Sequence, residues 1–350
     1  MLSKKAQQAI AEPTKKAKKK VEVGVDLASG PDQTATVLME EGKMVNLPID
    51  HFSYSSLTQL LRNPLIFKMK YVFKVYTSKT SVSGFVGRAC HEALKFYYGG
   101  NPDVVVPVDK AEARGEATAY GLNYLVTTGD GDVDYGKTGS REEMLQRYAK
   151  MMEVYWSEEP DYHNVLICEK KMSHMMHTTY GDLLPLQGRG IPDLVVEDKD
   201  GEMDIVDTKF VSTFTSYETE DYIKIVQAMM LKHLIHEETG RWARNIIFRE
   251  VKGSINKDGT PQIRDYIIPG NHQPYDILFY NLYNDAVKFI SNPNAIYLPN
   301  LSDMFDGEQS GLLYAQGLIN ADMSDVEVMH KVREVSLTSK KFVTSRTESA

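Results

Sequence analysis

The sequence predicts an α/β fold in which a mixed central β-sheet is flanked by helices. Three observations predict it. Two runs rich in β-branched and apolar residues, Ile191 to Val196 and Met203 to Phe210, bracket a polar stretch that ends in Gly201, and together they read as a β-hairpin. Apolar residues at helical spacing lie on either side of it: Leu57, Leu60, Leu61 and Phe67 before, and Ile277, Leu278, Leu282, Ala286 and Phe289 after. Two further strand-like runs, Trp242 to Val251 and Ile263 to Ile268, are joined through Asn256-Lys257-Asp258-Gly259 and would complete the sheet.

The elements follow in order. Residues 1 to about 20 form a basic arm, with Lys4, Lys5, Lys15, Lys16, Lys18, Lys19 and Lys20, expected to be a disordered, solvated tail. Residues 21–50 read as an N-terminal β-hairpin extension turning at Ala28 to Asp32. The main domain spans 51–290. It opens with a helical pattern in Phe52 to Tyr71, for which Ser53 or Ser55 is the expected N-cap. A second amphipathic helix covers Gly84 to Tyr98. Residues 101–147 are polar and glycine-rich around Gly129 to Asp132 and read as an insertion or mobile region, ahead of a helix near Glu142 to Trp156. Val165 to Glu169 is the strand before the hairpin, with Glu169 read as an edge-strand charge. A helix at Asp221 to Leu231 follows the hairpin, and another covers Tyr275 to Ile290. Residues 291–350 form a C-terminal extension, with short docking pieces near Leu301 to Phe305 and Gly311 to Ile319 and a frayed end from Ser336.

Composition sets bounds. A chain of 350 residues, 42% hydrophobic and 25% charged, can bury a full core and is expected to form one elaborated domain rather than two equal ones. No apolar run reaches the roughly 18 residues of a membrane span, the first residues lack a secretory h-region, and two cysteines suggest a reducing compartment; a cytoplasmic location is expected. A net charge of −8 argues against coating nucleic acid nonspecifically but leaves room for a local basic track. Arg62, Lys68, Lys70, Lys74, Lys79 and Arg88 recur with Phe67, Tyr71, Phe73 and Tyr76. Such interleaving suits a single nucleic-acid strand, while an amphipathic helix with solvated lysines explains it equally simply.

The hairpin carries the chemistry. A three-residue loop Lys199-Asp200-Gly201, with glycine left-handed at a G1 bulge, pairs Asp198 with Glu202 and sets Asp193 opposite Asp207. Side chains alternate, so Asp207 and Lys209 share the face that opposes Asp193. Directly opposed carboxylates repel unless a cation lies between them. Both aspartates interrupt apolar runs, where a buried charge needs a partner or a metal, and Mg²⁺ favours carboxylate oxygens.

Ile191-Pro192-Asp193, the hairpin and Val206-Asp207-Thr208-Lys209 resemble the PD-(D/E)XK nuclease superfamily, whose two acids bind Mg²⁺ or Mn²⁺ while the lysine assists phosphodiester hydrolysis. Gly84 to Tyr98 is similar to the helix motif G-x-x-x-H-x-x-L of its RecB-like branch, which makes His91 a metal ligand by resemblance. Phe52 to Tyr71 is similar to that branch's opening S-x-S-x-L helix followed by x-P-x-x-F, which points to Ser55, with Ser56 second, as a contact for a terminal phosphate. Gln227 stands where the branch has Q-x-x-x-Y, although Leu231 replaces the tyrosine. Iron-sulfur members carry a cysteine before the proline; this chain has Asn63 before Pro64 and only Cys90 and Cys168, too few for a cluster.

The resemblance covers roughly Phe52 to Thr239 and implies a restriction-endonuclease-like core with N- and C-terminal elaborations. It implies His91, Asp193, Asp207, Lys209 and Gln227 as catalytic residues, and His91, Asp193, Asp207 and the Thr208 carbonyl around Mg²⁺ or Mn²⁺. The expected activity is a metal-dependent DNA nuclease, favouring an exonuclease that processes DNA ends in phage recombination or repair. A structure-specific or single-strand endonuclease is the alternative, and a non-catalytic DNA-binding scaffold is the alternative of another class. DNA is the expected partner; a homo-oligomer and a single-strand annealing or recombination partner protein stay open. Val23-Gly24-Val25-Asp26 is similar to the first strand of RNase H-like nucleases, but no partner acids complete a second site around Asp26, and a strand pair packed on the core explains it better.

Overall fold

The computed structural model describes residues 22–24, 37–40, 43–74, 80–103, 105–127, 133–135, 139–216, 220–304, 306–320 and 322–337. The basic arm, Asp26, Tyr76, Lys79, the Gly129 to Asp132 turn and residues 338–350 lie outside the described residues. The chain divides into two units, Met1–Asp50 and His51–Ala350. In the first, β1 (Glu22–Gly24), β2 (Val37–Glu40) and β3 (Lys43–Asn46) form an antiparallel sheet in that order, one strand more than the expected hairpin.

The second unit is built on a five-stranded sheet. Its strands are β7 (Asn164–Cys168), β10 (Leu194–Glu197), β11 (Met203–Phe210), β12 (Asn245–Ile255) and β13 (Pro261–Pro269), hydrogen-bonded in the order β13-β12-β11-β10-β7. Only the β11/β12 pair is parallel, so the sheet is mixed as expected. A parallel pair needs a crossover, and α6 (Tyr222–Thr239) supplies it. The β10/β11 turn adopts the expected register. Leu194 pairs with Val206 and Glu197 with Met203; the Asp198 N–H donates to the Glu202 carbonyl at 3.0 Å, and Gly201 is left-handed at φ +80°.

Helices cover both faces. On one lie α3 (Val82–Tyr97), α4 (Lys110–Thr127) and α5 (Arg141–Ser157), whose Phe85, Ala89, Leu125, Tyr148, Met152 and Tyr155 share a core with Val251 of β12. Within residues 101–147, expected to be an insertion or mobile stretch, α4 is a packed helix: small residues Ala113, Ala117 and Gly121 face inward, and a Cβ at Gly121 would meet the Ala89 carbonyl at 2.4 Å. Two helices meet there at close range, which strong amphipathic patterning would not reveal.

On the other face lies α6. Its Leu231 and Leu234 press on β9 (Gln187–Gly190), where a Cβ at Gly190 would come within 2.8 Å of Leu234. β9 joins β4 (His51–Ser53) and β8 (Met172–His174) in a second sheet ordered β4-β9-β8, and β5 (Thr80–Ser81) and β6 (Val133–Asp134) form a short parallel pair. Helix α7 (Gln273–Ser291) packs on α6, and Lys232 of α6, 2% exposed, donates to both carboxylate oxygens of Asp276 on α7.

The N-terminal helix breaks where proline dictates. Helix α1 (Tyr54–Arg62) stops at Asn63, whose backbone is pushed out of the helical region by the following Pro64. Pro64 then starts α2 (Pro64–Phe67), which runs into a π-helical turn (Lys68–Val72). Here the C-terminal segment docks. Leu65, Ile66, Met69 and Phe73 bury against Leu313 of α8 (Gly307–Ala315) and Val328 and Val332 of α9 (Asp325–Leu337). Arg62 bonds Asp303 and Asp306, the buried Asn63 donates to Ser310 Oγ at 2.9 Å, and Lys68 pairs with Asp325 at 2.6 Å. These contacts correct the base-stacking reading of the segment: Phe67 and Phe73 are core residues, and Arg62 and Lys68 hold the C-terminal segment.

Candidate active site

The hairpin register brings Asp193 and Asp207 together. Asp193, at the start of β10, accepts the Thr208 N–H at 2.7 Å through Oδ2, so its carboxylate is fastened to the strand that carries Asp207. Asp207 is 2% exposed in the middle of β11. Lys209, two residues on and therefore on the same face, places Nζ 2.6 Å from Asp207 Oδ2. From the helix above, Gln227 Nε2 donates to Asp207 Oδ1 at 3.2 Å. Three residues earlier on that helix, Lys224 pairs with the buried Glu250 of β12, which also accepts from Thr215. Helix α6 is thus fixed over the sheet at two successive turns of one face.

His91 comes from α3. Its ring meets Phe210 edge to face at 5.8 Å, and Nδ1 lies 3.5 Å from Asp193 Oδ2 and 3.5 Å from Glu169 Oε1. Glu169, expected as an edge-strand charge, is the third member of this group. It follows β7 with φ +49°, a left-handed conformation rare outside glycine, and its N–H is held by the Pro192 and Asp193 carbonyls. That backbone turn swings the side chain off the edge and toward His91. The available signal was a carboxylate ending an apolar run beside the hairpin; the turn itself has no sequence mark.

Ligand atoms of His91, Glu169 and Asp193 all lie within 4.8 Å of one another. A small octahedral cation with bonds of about 2.1 Å has ligands about 3 Å apart when adjacent and about 4.2 Å when opposed, so the trio needs only a modest contraction. Two carboxylates and an imidazole suit Mg²⁺ or Mn²⁺, the imidazole favouring the transition ion. The electrostatics agree. Burial pushes the Asp193 carboxyl up to about 7 against the pull of His91, with Asp207 adding to the rise. Burial disfavours the His91 imidazolium, yet Asp193 and Glu169 outweigh it and raise its pKa to about 9.

The remaining predicted residues are placed as follows. Thr208 is fully buried, its N–H engaged by Asp193. Ser53 caps α1. Ser56, buried at N3, accepts the Ser53 N–H and donates to the Ser53 carbonyl, so its hydroxyl is spent in the cap. Ser55 is exposed at the second position of α1. The adjacent Tyr54 lies within the electrostatic reach of Lys209 and Asp207, which places this helix start beside the site.

The family model of the PD-(D/E)XK nuclease superfamily matches residues 51–246. Among solved structures, the chain is similar to a candidate exonuclease from Eubacterium rectale, with 9% identity and a TM-score of 0.47 over 74% of this chain and 88% of that one. It is also similar to an alkaline exonuclease from Laribacter hongkongensis, with 13% identity and a TM-score of 0.23 over 61% of this chain and 91% of that one. No curated protein matches the sequence. No helix among the described residues is long and apolar enough to cross a membrane.

Proposed function

We propose that this chain, which belongs to the PD-(D/E)XK nuclease superfamily, is a metal-dependent deoxyribonuclease that shortens DNA from its ends. The carrying observation is the meeting of His91, Glu169 and Asp193 next to the Asp207–Lys209 pair. Mg²⁺ or Mn²⁺ held by the first three would neutralise charge on the scissile phosphate and acidify a water. Asp207 borders that seat, its two oxygens shared by Lys209 and Gln227. Lys209 then has two duties: it orients the attacking water against Asp207, and its ammonium offsets charge that develops on the phosphate oxygens. Gln227 keeps the Asp207 carboxylate from rotating. Ser55, exposed at the start of α1, is the candidate contact for a terminal phosphate, aided by the free N–H groups there.

The choice of end-directed cutting follows from the ordered motifs Ser53-x-Ser55, Gly87-x-x-x-His91, Pro192-Asp193, Asp207-x-Lys209 and Gln227, which together resemble the exonuclease branch. A role in phage recombination or repair follows from the same resemblance. The test is Mg²⁺- and Mn²⁺-dependent digestion of 5′- and 3′-labelled linear duplexes beside covalently closed circles. Progressive release of short products from linear DNA alone is expected; cutting of closed circles would make the enzyme an endonuclease, and no metal-dependent cutting of any DNA would overturn the reading.

A further inference from the structure

We infer that Lys252, held against the Phe214 ring, forms a phosphate subsite for the nucleic-acid strand beside the cleavage centre, an inference that rests on the nuclease reading above.

The sheet puts these residues on the face of the site. Lys209 of β11 pairs with Glu250 of β12, and Glu250 pairs with Arg264 of β13, so the three side chains stand in one row on the Asp207 face. Lys252 lies two residues further along β12 and meets the same Phe214 ring as Arg264, which keeps it on this face. Four residues of strand separate its row from that of Asp207, a distance of about 13 Å. That is a span of two or so nucleotides.

The loop after Lys209 crosses back over this row and is fastened there. The Val211 N–H donates to the Val251 carbonyl, and Thr215 donates to Glu250 through both its N–H and its hydroxyl. Phe214, between those anchors, is left with its ring 5.0 Å from Lys252 Nζ and 4.8 Å from the Arg264 guanidinium carbon.

The choice of partner is informative. A carboxylate would hold Lys252 and cancel its charge; an aromatic ring holds a cation and leaves its charge and its N–H donors available. The acid of this row, Glu250, is neutralised by Lys224. Lys252 itself has no carboxylate partner among the described residues. In a chain of net charge −8, a cation positioned without a counter-ion, on the face of a nuclease centre, fits a phosphodiester.

Equilibrium binding tests this without cleavage. A fluorescein-labelled single-stranded oligonucleotide is titrated in EDTA over a range of salt concentrations with the full-length protein, Lys252→Ala, Phe214→Ala and, as a control on an exposed helix face, Lys288→Ala; circular dichroism confirms that each variant is folded. Removing one phosphate contact from a single strand lowers the slope of log affinity against log salt by about 0.7. Lys252→Ala is expected to show that loss, Phe214→Ala a partial loss with weaker binding, and Lys288→Ala none. Wild-type slopes in both Lys252→Ala and Phe214→Ala, or no salt-dependent binding by any form, would overturn the subsite. Hydrolysis of the same oligonucleotide by the wild-type protein with Mn²⁺ reports separately on the nuclease reading.

Discussion

Asp193 and Asp207 face each other across one hairpin, yet their surroundings are opposite in kind. Around Asp207 the protein supplies its own positive charge: Lys209 sits on one oxygen and a Gln227 amide on the other. Around Asp193 it supplies another acid, Glu169, and a histidine. The first arrangement is electrically complete; the second reaches balance only by holding protons or a cation. On the proposed reading, two aspartates that look equivalent in the sequence would therefore carry different work, one seating the ion and the other aligning Lys209 and the water.

That contrast can be broken by substitution. Asp193→Asn removes a ligand from the cation half and is expected to abolish hydrolysis and weaken Mn²⁺ binding together, measured by product release and by calorimetry. Lys209→Ala strikes the complete half: kcat should fall by about 10²–10³-fold while Mn²⁺ affinity holds or improves, because the ammonium opposes the ion. Gln227→Ala sharpens the contrast further. It frees the Asp207 carboxylate to rotate, and steady-state kinetics should show a loss of about 10–100-fold with a smaller change in ion affinity.

A smaller effect lies outside both halves. Asn63 is buried and bonds Asn300, Asp303 and Ser310, clamping the C-terminal segment to the start of α2. Asn63→Ala leaves buried partners unsatisfied and should cost about 1–3 kcal/mol, read as a lower melting temperature. Mn²⁺ affinity should not move.

The legible and the illegible parts of the molecule differ for physical reasons. A period of two residues and a glycine-ended loop fix the hairpin register, so the pairing of Asp193 with Asp207 follows from the chain alone. His91 and Gln227 were reachable only through family resemblance, since a lone histidine or glutamine on a helix says nothing of what it faces. Glu169, expected as an edge-strand charge, lies beside His91 because of a left-handed backbone that no local residue announces. The clamp at Asn63 joins polar residues some 237 to 247 positions apart, and such bonds leave no periodic trace. Helix α4 escaped because it meets its neighbour through alanine and glycine rather than through a large apolar stripe.

The division between the two halves has one direct test, calorimetric titration of Mn²⁺ into the wild-type protein, Glu169→Gln and Lys209→Ala without DNA. Glu169→Gln should bind at least about 10-fold more weakly and Lys209→Ala no more weakly than wild type. Wild-type affinity in Glu169→Gln would contradict the account, because the cation would then be seated without the residue that distinguishes the Asp193 side.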